Sequence, residues 1–350
     1  MAGSSHTALG HIYAGAAATK DGGAGGVFRC IAGGDGWQHV FDKADVHAIT
    51  VHPKNPDTVF IGTKDGPYRS TDGGAHWERV GFPDSDVQVW SILIDRNDPG
   101  TVYAGGSPVA VYRSDDGGEH FKRMPDPALP NRVVMSFPCR VMRFAAHPRK
   151  AGDIYATLEV NGAMHSRDGG ESWEDCTQDL LRLATEPRLK SRILSDTDAE
   201  GMLDGHAIAI SDADPDGVIL AVRMGLFHSA DAGKTWQDMQ VSRFSPYTYG
   251  RDIRVSPHDP KTLFACLSVA ASSNAGALFH STDTGQTWQR FDTVAPQSTV
   301  MAVAMHDRDP AQMHFVARRG QCFGTTDGGK SWQEAKMPAA CKDLYAVACG

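Results

Sequence analysis

The sequence predicts an all-β fold: a seven-bladed β-propeller of four-stranded blades, its ring closed by the C-terminal strand joining the N-terminal blade. Three observations predict it. An eight-residue pattern, S-x-D-x-G-x-x-W, recurs along the chain every ~40–50 residues, a period typical of propeller blades. Around each copy lie four short runs of alternating apolar residues, separated by Asp, Asn, Pro and Gly turns. Seven similar apolar runs can be aligned as inner strands, and the seventh lies at the extreme C-terminus.

The pattern first appears cleanly as Ser70-Thr71-Asp72-Gly73-Gly74-Ala75-His76-Trp77. It returns at Ser114 to Phe121, Ser166 to Trp173, Ser229 to Trp236, Ser281 to Trp288 and Thr325 to Trp332, with a worn copy at Cys30 to Trp37. The inner strands read HAITV (47–51), WSILI (90–94), MRFAA (142–146), HAIAI (206–210), RDIRV (251–255), MAVAM (301–305) and YAVAC (345–349). The N-terminal segment has three strands but no inner one, so YAVAC fills the vacancy and leaves no open sheet edge. The expected organisation is a single domain over 1–350. Its first blade is shared by about 11–41 and 342–349, and the other blades span about 45–82, 87–125, 138–178, 203–242, 250–294 and 299–338. A lid-like insertion at 177–205 contains a short helix from Gln178 to Ala184.

The repeated motif resembles the Asp-box, or BNR, repeat, a family that includes sialidases, xyloglucan-degrading enzymes, sortilin-type receptors and a photosystem II assembly factor. The resemblance covers nearly the whole chain and implies the fold far more specifically than an activity. It places each box in the hairpin between the third and fourth strands. Ser and Asp would bond the turn backbone, Gly would take positive φ, and Trp would fill the gap to the next blade. Residues repeated in every blade serve the blade, so Asp72, Asp116, Asp168, Asp231, Asp283 and Asp327 are excluded as catalytic acids. Loss of one box Trp should cost ~3–5 kcal/mol. Arg69, Arg113, His165, His228 and His280, each preceding a box serine, and Arg29, preceding Cys30 of the worn copy, read as architecture too.

Composition narrows the function classes. A net charge of −8 argues against a general nucleic-acid or anionic-membrane binder. No apolar run reaches the ~18 residues of a membrane span, and no secretory signal is visible, so a cytoplasmic protein or a processed exported one is expected. Seven cysteines without a CxxC pair read as free buried thiols.

Function is expected where the repeat breaks. The third residue of every inner strand is apolar, but the first varies: His47, Trp90, Met142, His206, Arg251, Met301 and Tyr345. Neighbouring loops on the same face add Lys64, Glu159, Arg223 and Arg319, and the connections add Arg140. Arg143, Asp252 and Arg254 interrupt positions that are otherwise mostly small, and Asp252 either pairs with a neighbouring Arg or has a functional role.

Two readings follow. In the first, the protein is a hydrolase or lyase for an anionic or sugar-like small molecule. His47, His206, Tyr345 and Glu159 would be its acid-base groups. Trp90 would be a stacking wall, and Arg140, Arg143, Arg223, Arg251, Arg319 and Lys64 would bind the anion. In the second, a basic face docks a protein partner without catalysis, as the resemblance to the assembly factor implies. The sialidases' Arg-Ile-Pro sequence is absent. No cofactor is expected. A metal near His47 or His206 lacks any supporting HxH or HExxH spacing.

Overall fold

The computed structural model describes residues 10–350. Its twenty-eight strands form seven four-stranded antiparallel sheets arranged as blades. The inner strands are Val46–Val51, Gln88–Ile94, Val141–Ala146, Gly205–Ser211, Tyr249–Val255, Val300–Met305 and Leu344–Cys349. The last of these pairs with His11–Ala16, the second strand of the first blade, so the two chain ends close the ring within one sheet. The third inner-strand positions are the blade-to-blade core: Ile49, Ile92, Phe144, Ile208, Ile253, Val303 and Val347 are all buried.

Each box is a saturated hairpin between a third and a fourth strand. In the first clean copy Ser70 donates to Asp72 at 2.8 Å, and the Gly74 N–H donates back to Ser70 Oγ at 2.8 Å. The N–H groups of Ala75 and His76 donate to Asp72 Oδ1 at 3.0 and 2.9 Å. The second glycine is fixed by two constraints. Gly118 takes φ +84°, and a Cβ there would lie 2.5 Å from the Phe60 ring of the preceding blade.

The box tryptophans are less uniform than the motif suggests. Trp236 and Trp288 are 2% and 8% exposed, and the Trp236 indole N–H donates to the Cys176 carbonyl of the preceding blade at 2.9 Å. Trp37, Trp77, Trp173 and Trp332 are only half-buried, because the adjacent blade edge does not cover them fully. The four half-buried tryptophans are therefore expected to contribute less than the ~3–5 kcal/mol of a fully packed one.

The 177–205 insertion is docked against the blades. Leu180, Leu183, Leu189, Met202 and Leu203 enter one apolar cluster with Val218, Val222 and Trp236. Its helices are Gln178–Leu183 and the unanticipated Glu200–Leu203. Glu200 is fully buried and accepts the N–H groups of Ile193, Leu194 and Ser195 at 2.9–3.0 Å, which fixes the loop tip. All seven cysteines are free, six of them buried.

Candidate functional site at the channel mouth

The inner strands begin on one face of the ring, where the loops between second and third strands also turn. At that end all seven ring residues share one backbone feature. The ladder register slips between Val46 and Ala48, Val89 and Ser91, and Val141 and Arg143, which leaves His47, Trp90 and Met142 as extra residues. The same slip isolates His206, Arg251, Met301 and Tyr345. A β-bulge re-aims the side chain of its unpaired residue. The ring is therefore seven bulged side chains, one per blade.

On one side these side chains form a closed stack. The His47 imidazole lies parallel to Trp90, centroids 3.8 Å apart and planes 4° apart. The Arg140 guanidinium sits 3.9 Å from the Trp90 ring. Two groups cannot share one ring face at that spacing, so Trp90 is sandwiched. Arg140 also pairs with Glu159 at 2.6 Å. Tyr345 meets the His47 ring edge-on at 5.4 Å, and its hydroxyl accepts from Arg318 at 3.0 Å. Arg318 is held by both oxygens of Asp343, at 2.8 and 2.6 Å.

Across the channel a second cluster is tied together. His206, 3% exposed, bonds the Gly250 carbonyl through Nδ1 at 2.8 Å and the Tyr249 hydroxyl through Nε2 at 3.0 Å. The carbonyl requires a proton on Nδ1. Asp204 lies 3.4 Å from the same Nε2 and takes two bonds from Arg223, at 2.9 and 2.5 Å. Deeper along the axis, Asp252 is 0% exposed and contacts Arg143 at 3.4 Å and Arg254 at 3.1 Å. It pairs with these two and not with Arg251. Among the described residues no carboxylate lies within ion-pair distance of half-buried Arg251.

The electrostatics follow from this crowding. Burial, then the cations Arg140, Arg251 and Lys64, push the His47 imidazole down to about 3. Burial raises the Glu159 carboxyl, against the pull of Arg140. Burial opposes ionisation of Asp204 too, but His206 and Arg223 outweigh it and hold that carboxyl well below the usual range. Burial and then Arg254 lower the Arg143 guanidinium to about 10.

Comparison with known proteins places this geometry. The family profile described as sortilin, neurotensin receptor 3 (Sortilin-Vps10) matches residues 65–200 and 276–347, more than half of the chain. The chain belongs to the Sortilin-Vps10 family. Among solved structures, it superposes on a GH74 xyloglucanase from Xanthomonas campestris with a TM-score of 0.59 and 18% identity, covering 83% of this chain and 45% of that one. It thus spans under half of that enzyme's length. It superposes on YCF48 from Cyanidioschyzon merolae with a TM-score of 0.57 and 14% identity, covering 86% and 87% of the two chains. A further match, at 14% identity and a TM-score of 0.52, is YCF48 bound to a D1 peptide, covering 84% and 81%. At these identities the likeness establishes the fold and no more. No curated protein matches the chain.

Within this Sortilin-Vps10 propeller, the residues expected from sequence divide clearly. His47, Trp90, Arg140, Glu159 and Tyr345 come together, as do His206 and Arg223. Arg143 lies in the channel on Asp252. Arg319 stays on the outer rim, bonded to Asn274 at 2.7 Å, while its neighbour Arg318 reaches Tyr345. Lys64 is exposed at the edge. Asp204, one of the local acids that the sequence offers as a partner for the mouth arginines, pairs with Arg223, and Tyr249 completes the His206 cluster without having been singled out; the available signal was its adjacency to an irregular strand start. Among the described residues, no group of three or more His, Cys, Asp or Glu is placed to hold a metal ion.

Proposed function

We propose that the chain is a non-catalytic binding module whose cation-rich channel mouth docks an acidic segment of a partner protein. The observation that carries this reading is the contrast between Arg251 and the groups around it. Both ring nitrogens of His206 are engaged in a buried network. His47 is held neutral far below its ordinary pKa. Glu159 is bound to Arg140, and Tyr345 to Arg318. A general acid or base needs a free site within reach of substrate and a pKa near the working pH, and none of these four groups meets both conditions. Trp90 has no free face for a sugar ring, which removes the stacking platform a glycosidase reading would need. Arg251, without an ion-pair partner among the described residues, remains a guanidinium suited to bidentate carboxylate recognition. Both the receptor named in the family description and the peptide-bound YCF48 structure are consistent with a binding role.

The test uses a fluorescein-labelled peptide of alternating Asp and Leu, and its Asn and Leu counterpart, in anisotropy titrations. The acidic peptide should bind with marked salt dependence, and Arg251→Ala should weaken it about tenfold. Absence of binding refutes the proposal. So does turnover of xyloglucan oligosaccharides that Glu159→Gln abolishes.

A further inference from the structure

Four of the five large hydrophobic side chains left exposed among the described residues lie on loops of the mouth face. Val134, 78% exposed, belongs to the connection between the strands Lys122–Arg123 and Val141–Ala146. Ile193 and Leu194, 60% and 69% exposed, form the tip of the 177–205 insertion. Val269 follows the second strand of its blade, Leu263–Ser268. The fifth, Ile31, ends a third strand and so lies at the opposite face. Single exposed aliphatics scattered over a surface are ordinary, but their grouping on one face marks an interaction site.

Val134, Ile193 and Leu194 stand on one framework. Val133, next to Val134, is buried in the same apolar cluster as Leu189 and Met202 of the insertion, and Met135 packs against that cluster. The insertion tip is pinned from below: buried Glu200 accepts the N–H groups of Ile193 and Leu194 at 2.9 and 3.0 Å and the Ser195 hydroxyl at 2.8 Å. A tip already ordered in this way loses little conformational entropy on binding. Two routes lead from these aliphatics to the mouth. Along the first connection, the Arg140 guanidinium lies 4.7 Å from the Phe137 ring and covers Trp90 in turn. From the tip, Glu200 Oε1 lies 3.8 Å from Arg223, which binds Asp204 beside His206. Both routes end where the Arg251 charge is felt, since it acts on Glu159 and on His47.

Resting on the reading of the mouth given above, we propose that this aliphatic rim is the second half of the docking site: it takes aliphatic side chains of the same acidic partner segment whose carboxylate reaches Arg251. The tip is electrically balanced, with Lys190 and Arg192 before the two aliphatics and Asp196 and Asp198 after them, so it offers apolar contact without selecting a charge. The selection of charge comes from Arg251, which has no carboxylate of its own within ion-pair distance among the described residues. A matching partner therefore carries a carboxylate and aliphatic side chains in one segment. A lipid surface fits less well, because an anionic headgroup layer would meet Asp196 and Asp198 beside the aliphatics, on a chain whose net charge is −8.

The experiment is an anisotropy titration of the whole protein with two labelled peptides of equal length, one alternating Asp and Leu, the other alternating Asp and Ser. The Asp–Leu peptide should bind at least about tenfold more tightly, as expected when a Leu side chain is buried. The double substitution Ile193→Ser, Leu194→Ser should weaken the Asp–Leu peptide by about tenfold and leave the Asp–Ser peptide unchanged. Val134→Ser should act in the same direction by a smaller factor, and Ile31→Ser, on the other face, should change neither. All four positions are exposed, so the melting temperature should stay at the wild-type value. Equal affinities for the two peptides, or an unchanged affinity in the double variant, would overturn the rim and leave the Arg251 reading standing. An Arg251→Ala variant that keeps full affinity while the contrast between peptides persists would overturn the mouth reading instead. Absence of binding by both peptides removes both. Sedimentation of the protein with phosphatidylcholine–phosphatidylserine vesicles, lost in the double variant, would also overturn the proposal by assigning the aliphatics to a lipid surface.

Discussion

The hairpin boxes and the ring at the channel mouth are built from the same residue types and put them to opposite use. In a box, Asp72 lies 2.6 Å from His76 at the surface, and the Asp also caps its own turn. In the ring, Asp204 lies 3.4 Å from His206, and both are buried. Arg113 before a box reaches Asp115 and the Gly169 carbonyl of the next blade, whereas Arg251 in the ring has no acidic partner among the described residues. Box residues recur because each completes one hairpin with its own backbone. Ring residues vary from blade to blade because each faces a different set of neighbours across an axis. Chemical suspicion therefore belongs to the groups that do not repeat.

The largest effects should separate box positions that look identical in sequence. Trp236→Ala removes a fully packed indole and its N–H bond and should cost ~3–5 kcal/mol in urea denaturation. Trp77→Ala, at a half-buried position whose indole nitrogen has no partner among the described residues, should cost about half as much by the same cavity argument. Equal losses would mean that exposure does not set the contribution of a box. Next come the aspartates. Asp252→Ala strands two guanidiniums in the channel and should cost ~3–5 kcal/mol, as breaking a buried ion pair does. Asp72→Ala deletes an exposed turn cap and should cost ~1 kcal/mol. A smaller loss at Asp252 than at Asp72 would reverse the proposed roles of axis and rim.

The contrast also explains what could be read from the chain. The boxes announce the fold because their geometry is local: Ser70, Asp72 and Gly74 satisfy one another within five residues, so spacing alone encodes them. Closure by Tyr345 to Cys349 was legible because alternation marks a strand and the first blade lacked one. The ring positions were legible as irregularities at His47, Trp90 and Arg251, but the bulge that isolates each was not, since an extra residue leaves no compositional trace. Partners across the channel were hidden for a stronger reason. Nothing in local sequence brings Arg140 onto Trp90, 50 positions away, or Arg143 onto Asp252. The docked state of 177–205 could have been anticipated from Leu180 and Leu183, three residues apart on its first helix.

The next comparison is between protonation states. Burial lowers the His47 pKa from 6.5 to about 3, so the unfolded chain takes up this proton more readily than the folded one. The folded state's advantage is complete above about pH 6.5 and is lost progressively as the pH falls toward 3. His47→Gln should therefore flatten the melting temperature against pH across that window while lowering it at pH 7 through the lost stacking on Trp90. A profile that keeps the wild-type slope would place the acid sensitivity elsewhere.

The smallest effect concerns the rim arginines. Arg69 joins Glu78 and Glu119, linking two blades at 2.8 and 2.5 Å, yet both carboxylates are more than half exposed. Solvent screening and the entropy of holding long side chains oppose the attraction, so an Arg69→Ala, Glu119→Ala double-mutant cycle should yield a coupling below ~1 kcal/mol that fades in high salt. A larger, salt-insensitive coupling would show that the rim arginines act as buried clamps between blades, and would bring the outer belt closer in character to the Asp252 pairs on the axis.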